Sequence, residues 1–222
     1  MENNILPMLT NNDVTVSNAP EIFEECKDLP VKFWGFKDVG LSEDKMKKLV
    51  KSMKKSGKTT FLEIVSLSEE DCMRGAKLAV ECGFDYLIGT IFFDSVFNFL
   101  SNNKIKYFPF CGKIVGHPSV LEGSVDAILN DALSLQSKGV QGIDLLSYRH
   151  KTAAEEISKK LVDTLSIPVI IAGSINSFQR INKVIEIKPW AFTIGSALFN
   201  NKFGGEPGFK EQLTKVLNHI QI

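Results

Sequence analysis

Pro168-Val-Ile-Ile-Ala-Gly-Ser-Ile175, read together with Trp190-Ala-Phe-Thr-Ile-Gly-Ser-Ala197, decides the fold. Each stretch is a β-type apolar run that closes on Gly-Ser, and one amphipathic helix fits between them. In a (β/α)8 barrel the loops after the seventh and eighth strands commonly form an anion site. Glycine lets the backbone approach the anion, while amide N–H groups and a helix N-terminus point at it. The spacing therefore predicts a barrel that holds a small phosphorylated metabolite at this rim.

Working outward, strand-like and helix-like segments alternate along the whole chain. Strands are expected at Ile5–Thr10, Val31–Phe36, Phe61–Val65, Tyr86–Thr90, Lys106–Cys111, Ile143–Leu146, Val169–Ala172 and Ala191–Ile194. Helices fit between them, opened by Ser42-Glu-Asp, by Ser68-Glu-Glu-Asp and by the capping box Thr152-Ala-Ala-Glu155, with a last one over Phe209–His219. Alternation of this kind argues for a parallel sheet. Eight units favour closure into a single (β/α)8 TIM barrel over residues 1–222; an open, doubly wound sheet with extra helices is the alternative.

Composition narrows the function classes. The chain has 222 residues, 44% of them hydrophobic and 23% charged, enough for one full core. Lys plus Arg and Asp plus Glu each total 26, so no basic excess attracts nucleic acid or an anionic membrane. No apolar run is long enough to span a bilayer, and no charged segment followed by an apolar run opens the chain, so a cytoplasmic protein is expected. The four cysteines lack paired spacing and are expected to be reduced. The three histidines are scattered, and no dinucleotide fingerprint follows the first strand, so neither a metal nor a cofactor is expected. Homo-oligomerisation is left open.

Chemistry in a barrel belongs at the C-terminal ends of the strands. Glu63, between Leu62 and Ile64, and Asp144, between Ile143 and Leu145, face the interior if their apolar neighbours pack outward. Charges there need partners or a chemical task. Lys37, at the end of the second strand, is beside Glu63 on the adjacent strand and makes with it an acid/base pair suited to removing a proton next to a carbonyl. A structural ion pair, and for Asp144 a buried polar layer, are the alternatives. Arg149, after the sixth strand, is placed to bind a carboxylate or phosphate. Residues Gly112 to Ser124 read as a long loop, mobile without ligand, that brings Lys113 and His117 over the mouth.

The segments Ala172-Gly-Ser-Ile-Asn176 and Ile194-Gly-Ser-Ala-Leu198 resemble the ribulose-phosphate-binding barrel superfamily, whose members include small sugar-phosphate epimerases, decarboxylases, aldolases and indole- and histidine-pathway enzymes. The resemblance covers the whole chain as architecture and the last third as motif. It implies that Gly173, Ser174, Gly195 and Ser196 form the phosphate cradle; tight turns that simply need small residues are the alternative. The leading expectation is an isomerase, epimerase or lyase acting on a phosphorylated sugar or related metabolite. A second reading starts from Lys106-Tyr-Phe-Pro109, which is similar to the Schiff-base segment of aldolases acting on 2-keto-3-deoxy-6-phosphogluconate. Lys106, however, opens its strand, at the end of the barrel away from the rim. A third is a non-catalytic sensor: Phe61–Thr90 and Ile171-Ala-Gly-Ser174 are loosely similar to glycerol-3-phosphate-responsive antiterminators, which regulate through RNA.

Overall fold

The computed structural model describes residues 4–116 and 118–220. Eight parallel strands run in chain order: β1 (Asn4–Pro7), β2 (Phe33–Lys37), β3 (Thr59–Ile64), β4 (Tyr86–Gly89), β5 (Lys106–Phe108), β6 (Ile143–Leu145), β7 (Val169–Ile171) and β8 (Ala191–Ile194). Strands β2 to β5 form one continuous ladder, and β6, β7, β8 and β1 another. Two narrow seams join them. Met8 pairs with Gly35 between β1 and β2, supported by the Leu9 N–H on the Gly35 carbonyl at 2.8 Å, and Phe110 pairs with Asp144 between β5 and β6. The barrel is closed.

Period-two alternation sorts the residues of each strand. Phe33, Phe61, Tyr86, Phe108, Ile170 and Ala191 point inward and meet the ring of Trp190, which lies 4.9 Å from Phe33 and 5.4 Å from Phe108. This plug fills the N-terminal half of the barrel; each aromatic pair adds about 0.5–1.5 kcal/mol beyond its area burial. Trp34, Phe36, Leu62, Ile64 and Leu87 alternate with these residues and pack outward against the helices. The same alternation carries Lys37, Glu63, Asp144 and Thr193 to the inside, one layer above the plug.

Helices α1 (Ala19–Cys26), α2 (Glu43–Lys55), α3 (Glu69–Cys82), α4 (Asp94–Asn102), α5 (Val125–Ser137), α6 (Ala154–Thr164) and α7 (Phe178–Ile187) follow the first seven strands. A short helix α8 (Ser196–Phe199), absent from the sequence reading, and α9 (Phe209–Ile220) complete the ring. Ser68 caps α3 through the Asp71 N–H, but Ser42 makes no such bond at α2. The expected Thr152 capping box is also not formed. The amides of Thr152 and Ala153 donate instead to Nδ1 of His150, at 3.3 and 3.1 Å, and α6 begins one residue later than expected.

Two boundaries move for backbone reasons. Pro109 has no N–H to donate, so β5 stops at Phe108 instead of reaching Cys111. The first strand stops at Pro7, and Thr10–Asn11 with Val14–Thr15 form a small antiparallel ribbon at the C-terminal rim. The segment read as a mobile loop is a second ribbon, with Lys113–Val115 paired to Val120–Glu122. Its length was legible; its alternating Ile114, Val115, Val120 and Leu121 carried the ribbon signal. The four cysteines are free and buried. Among the described residues no helix is long and apolar enough to cross a membrane, and no group of three His, Cys, Asp or Glu side chains is placed to hold a metal ion.

Candidate functional site

Lys37 ends β2, and Glu63 is its Cα partner on β3. Lys37 Nζ lies 2.7 Å from Asp13 Oδ1 and 3.2 Å from Glu63 Oε1. Asp13 comes from the turn of the first ribbon, where Asn12 and Asp13 have φ of 49° and 62°, a left-handed pair that Asn and Asp tolerate better than most residues. The neighbouring Thr15 fixes the lysine backbone: its hydroxyl donates to the Lys37 carbonyl at 2.8 Å and accepts the Lys37 N–H at 2.9 Å. Arg149, on the short turn after β6, reaches across so that Nη2 is 3.0 Å from Asp13 Oδ1, while Nη1 donates to the Ser119 carbonyl of the second ribbon at 3.2 Å.

Electrostatics assign the protons in this cluster. Burial opposes the charge of Asp13, but Lys37 and Arg149 outweigh it and hold the carboxyl down at about 2. Burial likewise works against the Lys37 cation, and the charges of Glu63 and Asp13 overcome it, so its pKa is raised and the ammonium persists at neutral pH. Asp144 behaves oppositely. Burial, reinforced by the negative charge of Glu63, pushes it well above the ordinary carboxylate range. It is 1% exposed, and its Oδ1 has no hydrogen-bond partner among the described residues. Asp38, next to Lys37, is pushed up to about 6 by burial, despite accepting the Val65 N–H.

These shifts set a pH profile for stability. Asp13 titrates near 3.8 when unfolded and about 2 when folded, so its contribution is complete above about pH 4 and is lost as pH falls through 2. Asp38 has the opposite sign. Its folded pKa lies above its unfolded one, so stability declines as pH rises from about 4 through 6. Urea midpoints measured against pH should therefore rise from pH 2 to 4 and fall from 4 to 6 on account of these two groups. Asp13→Asn should flatten the acid limb and Asp38→Asn the other; an acid limb unaltered in Asp13→Asn would dissociate Asp13 from the cluster.

The two Gly-Ser loops meet at the opposite wall. The backbone amides of Ser174, Gly195, Ser196 and Ala197 have no acceptor among the described residues, and all four residues wall one space. Gly173 has φ +115°, and a Cβ there would sit 3.1 Å from the Arg149 amide nitrogen, so the close approach of β6 and β7 requires glycine. A Cβ on Gly195 would meet the Thr10 carbonyl oxygen at 3.0 Å. That position faces the backbone of the first ribbon. Ser196 Oγ accepts the Asn12 N–H at 2.9 Å, tying the second Gly-Ser loop to the ribbon that carries Asp13. Arg180 donates to the Ser174 carbonyl, and Lys202 walls the same space.

A single cavity of 190 Å³ contains the Gly173–Ser174 and Gly195–Ser196 loops at one side and Lys37, Glu63, Asp13 and Arg149 at the other. Seven of the residues expected from sequence are thus brought together. Two others are not, and one cannot be placed. Asp144 lies beneath the cavity without walling it, and Lys113 pairs with Glu122 at 3.0 Å with its side chain 71% exposed. His117 lies outside the described residues. Lys106 is at the far end of the barrel, its Nζ 3.1 Å from the Tyr86 hydroxyl.

Asp13, Lys202 and Arg180 were missed. Asn11-Asn12-Asp13 directly after β1 is a rim signal, since turn-forming Asn and Asp at the C-terminal end of a barrel strand belong to the functional face. Lys202 follows the unforeseen α8 and had no such signal.

No family model and no curated protein matches the chain. Solved structures do. Orotidine 5′-phosphate decarboxylase from Pyrococcus horikoshii OT3 superposes with a TM-score of 0.70 at 14% identity, covering 98% of this chain and 99% of that one. N-(5′-phosphoribosyl)anthranilate isomerase from Pyrococcus furiosus gives 0.66 at 13%, covering 99% of each chain. The glycerol uptake operon antiterminator regulatory protein from Listeria monocytogenes gives 0.60 at 20%, covering 87% of this chain and 91% of that one. The fold is a (β/α)8 barrel. The resemblance to ribulose-phosphate-binding barrels, expected from the two Gly-Ser segments, holds at the level of fold.

Proposed function

We propose that this chain is an enzyme that binds a phosphorylated carbonyl compound of sugar-like size and moves a proton next to the carbonyl, as an isomerase or epimerase does. One observation carries the reading: a single cavity offers unbonded backbone amides at one side and a lysine clamped between two carboxylates at the other. The phosphate binds at Ser174, Gly195, Ser196 and Ala197, where amides supply directed donors and Lys202 a charge. Its anchored end then delivers the carbonyl to Lys37.

Protonation follows from the local charges. Lys37 is already an ammonium, so it serves as the cation that stabilises an oxygen gaining negative charge, not as the base. The Glu63 carboxylate accepts the proton from the carbon next to the carbonyl. The resulting enediolate oxygen is held by the Nζ protons of Lys37; Glu63 then returns the proton to the neighbouring carbon while the hydroxyl proton of the first carbon passes to the enediolate oxygen, which completes an isomerisation, or returns it to the original carbon, which is read as exchange with solvent. Asp13, held ionised by Lys37 and Arg149, keeps the ammonium charged and oriented. A Schiff-base route through Lys106 has no support from this cavity, because Lys106 does not wall it.

The test is deuterium wash-in. In D2O, the protein should exchange the carbon-bound proton beside the carbonyl of at least one of ribulose 5-phosphate, dihydroxyacetone phosphate and related ketose phosphates, read by NMR. Tight binding of a phosphosugar without exchange of any carbon-bound proton would overturn the enzyme reading. It would leave a ligand sensor, the role that the operon antiterminator of similar fold suggests.

A further inference from the structure

The anion cradle does not stand at a dead end. Ser174 and Ser196 wall the inner cavity that leads to Lys37 and Glu63, and they also wall a second space of 430 Å³ that opens between the two rim ribbons. Asp13 and Arg149 are shared as well, and their ion pair forms the partition. An anion held by the amides of Ser174 and Ser196 therefore has room for an organic group on either side. A phosphate monoester has one such group. A phosphodiester or a diphosphate has two.

We infer that the ligand's phosphate is internal: the molecule is a phosphodiester or diphosphate conjugate, with the reacting group inside and a second organic group between the ribbons. The inference rests on the cradle being a phosphate site. The chemistry of the outer space specifies the second group. Among the described residues walling it, the charged ones are Asp13 and Arg149, already paired with each other at 3.0 Å. The other described residues are the apolar Pro118 and Val120 and the neutral polar Asn12 and Ser119, with the two cradle serines. These residues suit an uncharged, hydroxyl-bearing or heteroaromatic group, and among them there is no free countercharge for an ionic one.

The test compares matched ligands by calorimetry on the full chain: inorganic phosphate; ribose 5-phosphate against ADP-ribose; and glycerol 3-phosphate against glycerophosphoglycerol. The ADP-ribose arm reads a diphosphate and the glycerophosphoglycerol arm a single-phosphate diester. At least one conjugate should bind about ten-fold or more tightly than its monoester. Val120→Trp, at a half-buried position of the second ribbon, should fill the outer space and reduce that conjugate to its monoester's affinity; Ser119→Tyr does the same if the first variant fails to fold. Monoesters that match or exceed both conjugates would overturn the inference while leaving the cradle standing. Failure of inorganic phosphate and of every ester to bind would remove the cradle, and the inference with it.

Discussion

Lys37→Met is expected to reduce deuterium wash-in by on the order of 100-fold or more, the scale of positioned acid/base and electrostatic catalysis. The methionine keeps the length of the side chain and removes the charge that the enolate oxygen needs. It also leaves the Glu63 carboxylate, 14% exposed, without its ammonium, and Asp13, 10% exposed, with Arg149 alone. Breaking a buried pair in this way costs about 3–5 kcal/mol of stability, so the rate must be read under conditions where circular dichroism shows the variant folded. Lys37→Arg separates the two effects. It retains the charge and recovers most of the stability, but its wider guanidinium cannot occupy the point midway between Asp13 and Glu63, so exchange should stay low. Lys106→Met, at the far end of the barrel, should exchange at the unmodified rate. Wash-in that survives Lys37→Met would remove Lys37 from the reaction and leave the cluster as a brace for the barrel.

Period-two alternation explains how much of this cluster was legible. Glu63 and Asp144 read as interior because their sequence neighbours are apolar, and both do point inward. Alternation alone cannot tell which layer a residue occupies. Glu63 reaches the cavity while Asp144 lies sealed beneath it, because the layer depends on register around the barrel, and β5 to β6 is a seam shortened by Pro109. Asp13 was missed for a related reason. A first strand drawn through Thr10 makes the next residues a plain connection, whereas the strand stops at Pro7 and Thr10–Thr15 fold back over the rim. Lys113 was overrated because charge and loop length were read without pairing. On a ribbon, its cross-strand neighbour is Glu122, which neutralises it locally.

The Gly-Ser loops were legible because a parallel strand ending in glycine and serine before a helix leaves few other uses for its amides. Their role is tested most directly by Ser174→Asp. Ser174 is exposed, and its own amide is one of the four without an acceptor, so a carboxylate fits there without disturbing the core. It would accept from the free amides and repel an incoming phosphate. Two unit charges about 4 Å apart at an effective dielectric of about 20 repel by about 4 kcal/mol. Halving that for solvent exposure leaves a loss in affinity on the order of 30-fold. Gly195 is the weaker choice, because its absent side chain faces the Thr10 carbonyl and a bulky replacement would push on the first ribbon, which carries Asp13. Calorimetry with inorganic phosphate should show the loss for Ser174→Asp at an unchanged or slightly raised melting temperature, and near-normal affinity for Ser174→Ala. Equal affinity in the Asp variant would mean that the amides converge on a turn whose small residues serve packing alone, and that the anion binds elsewhere.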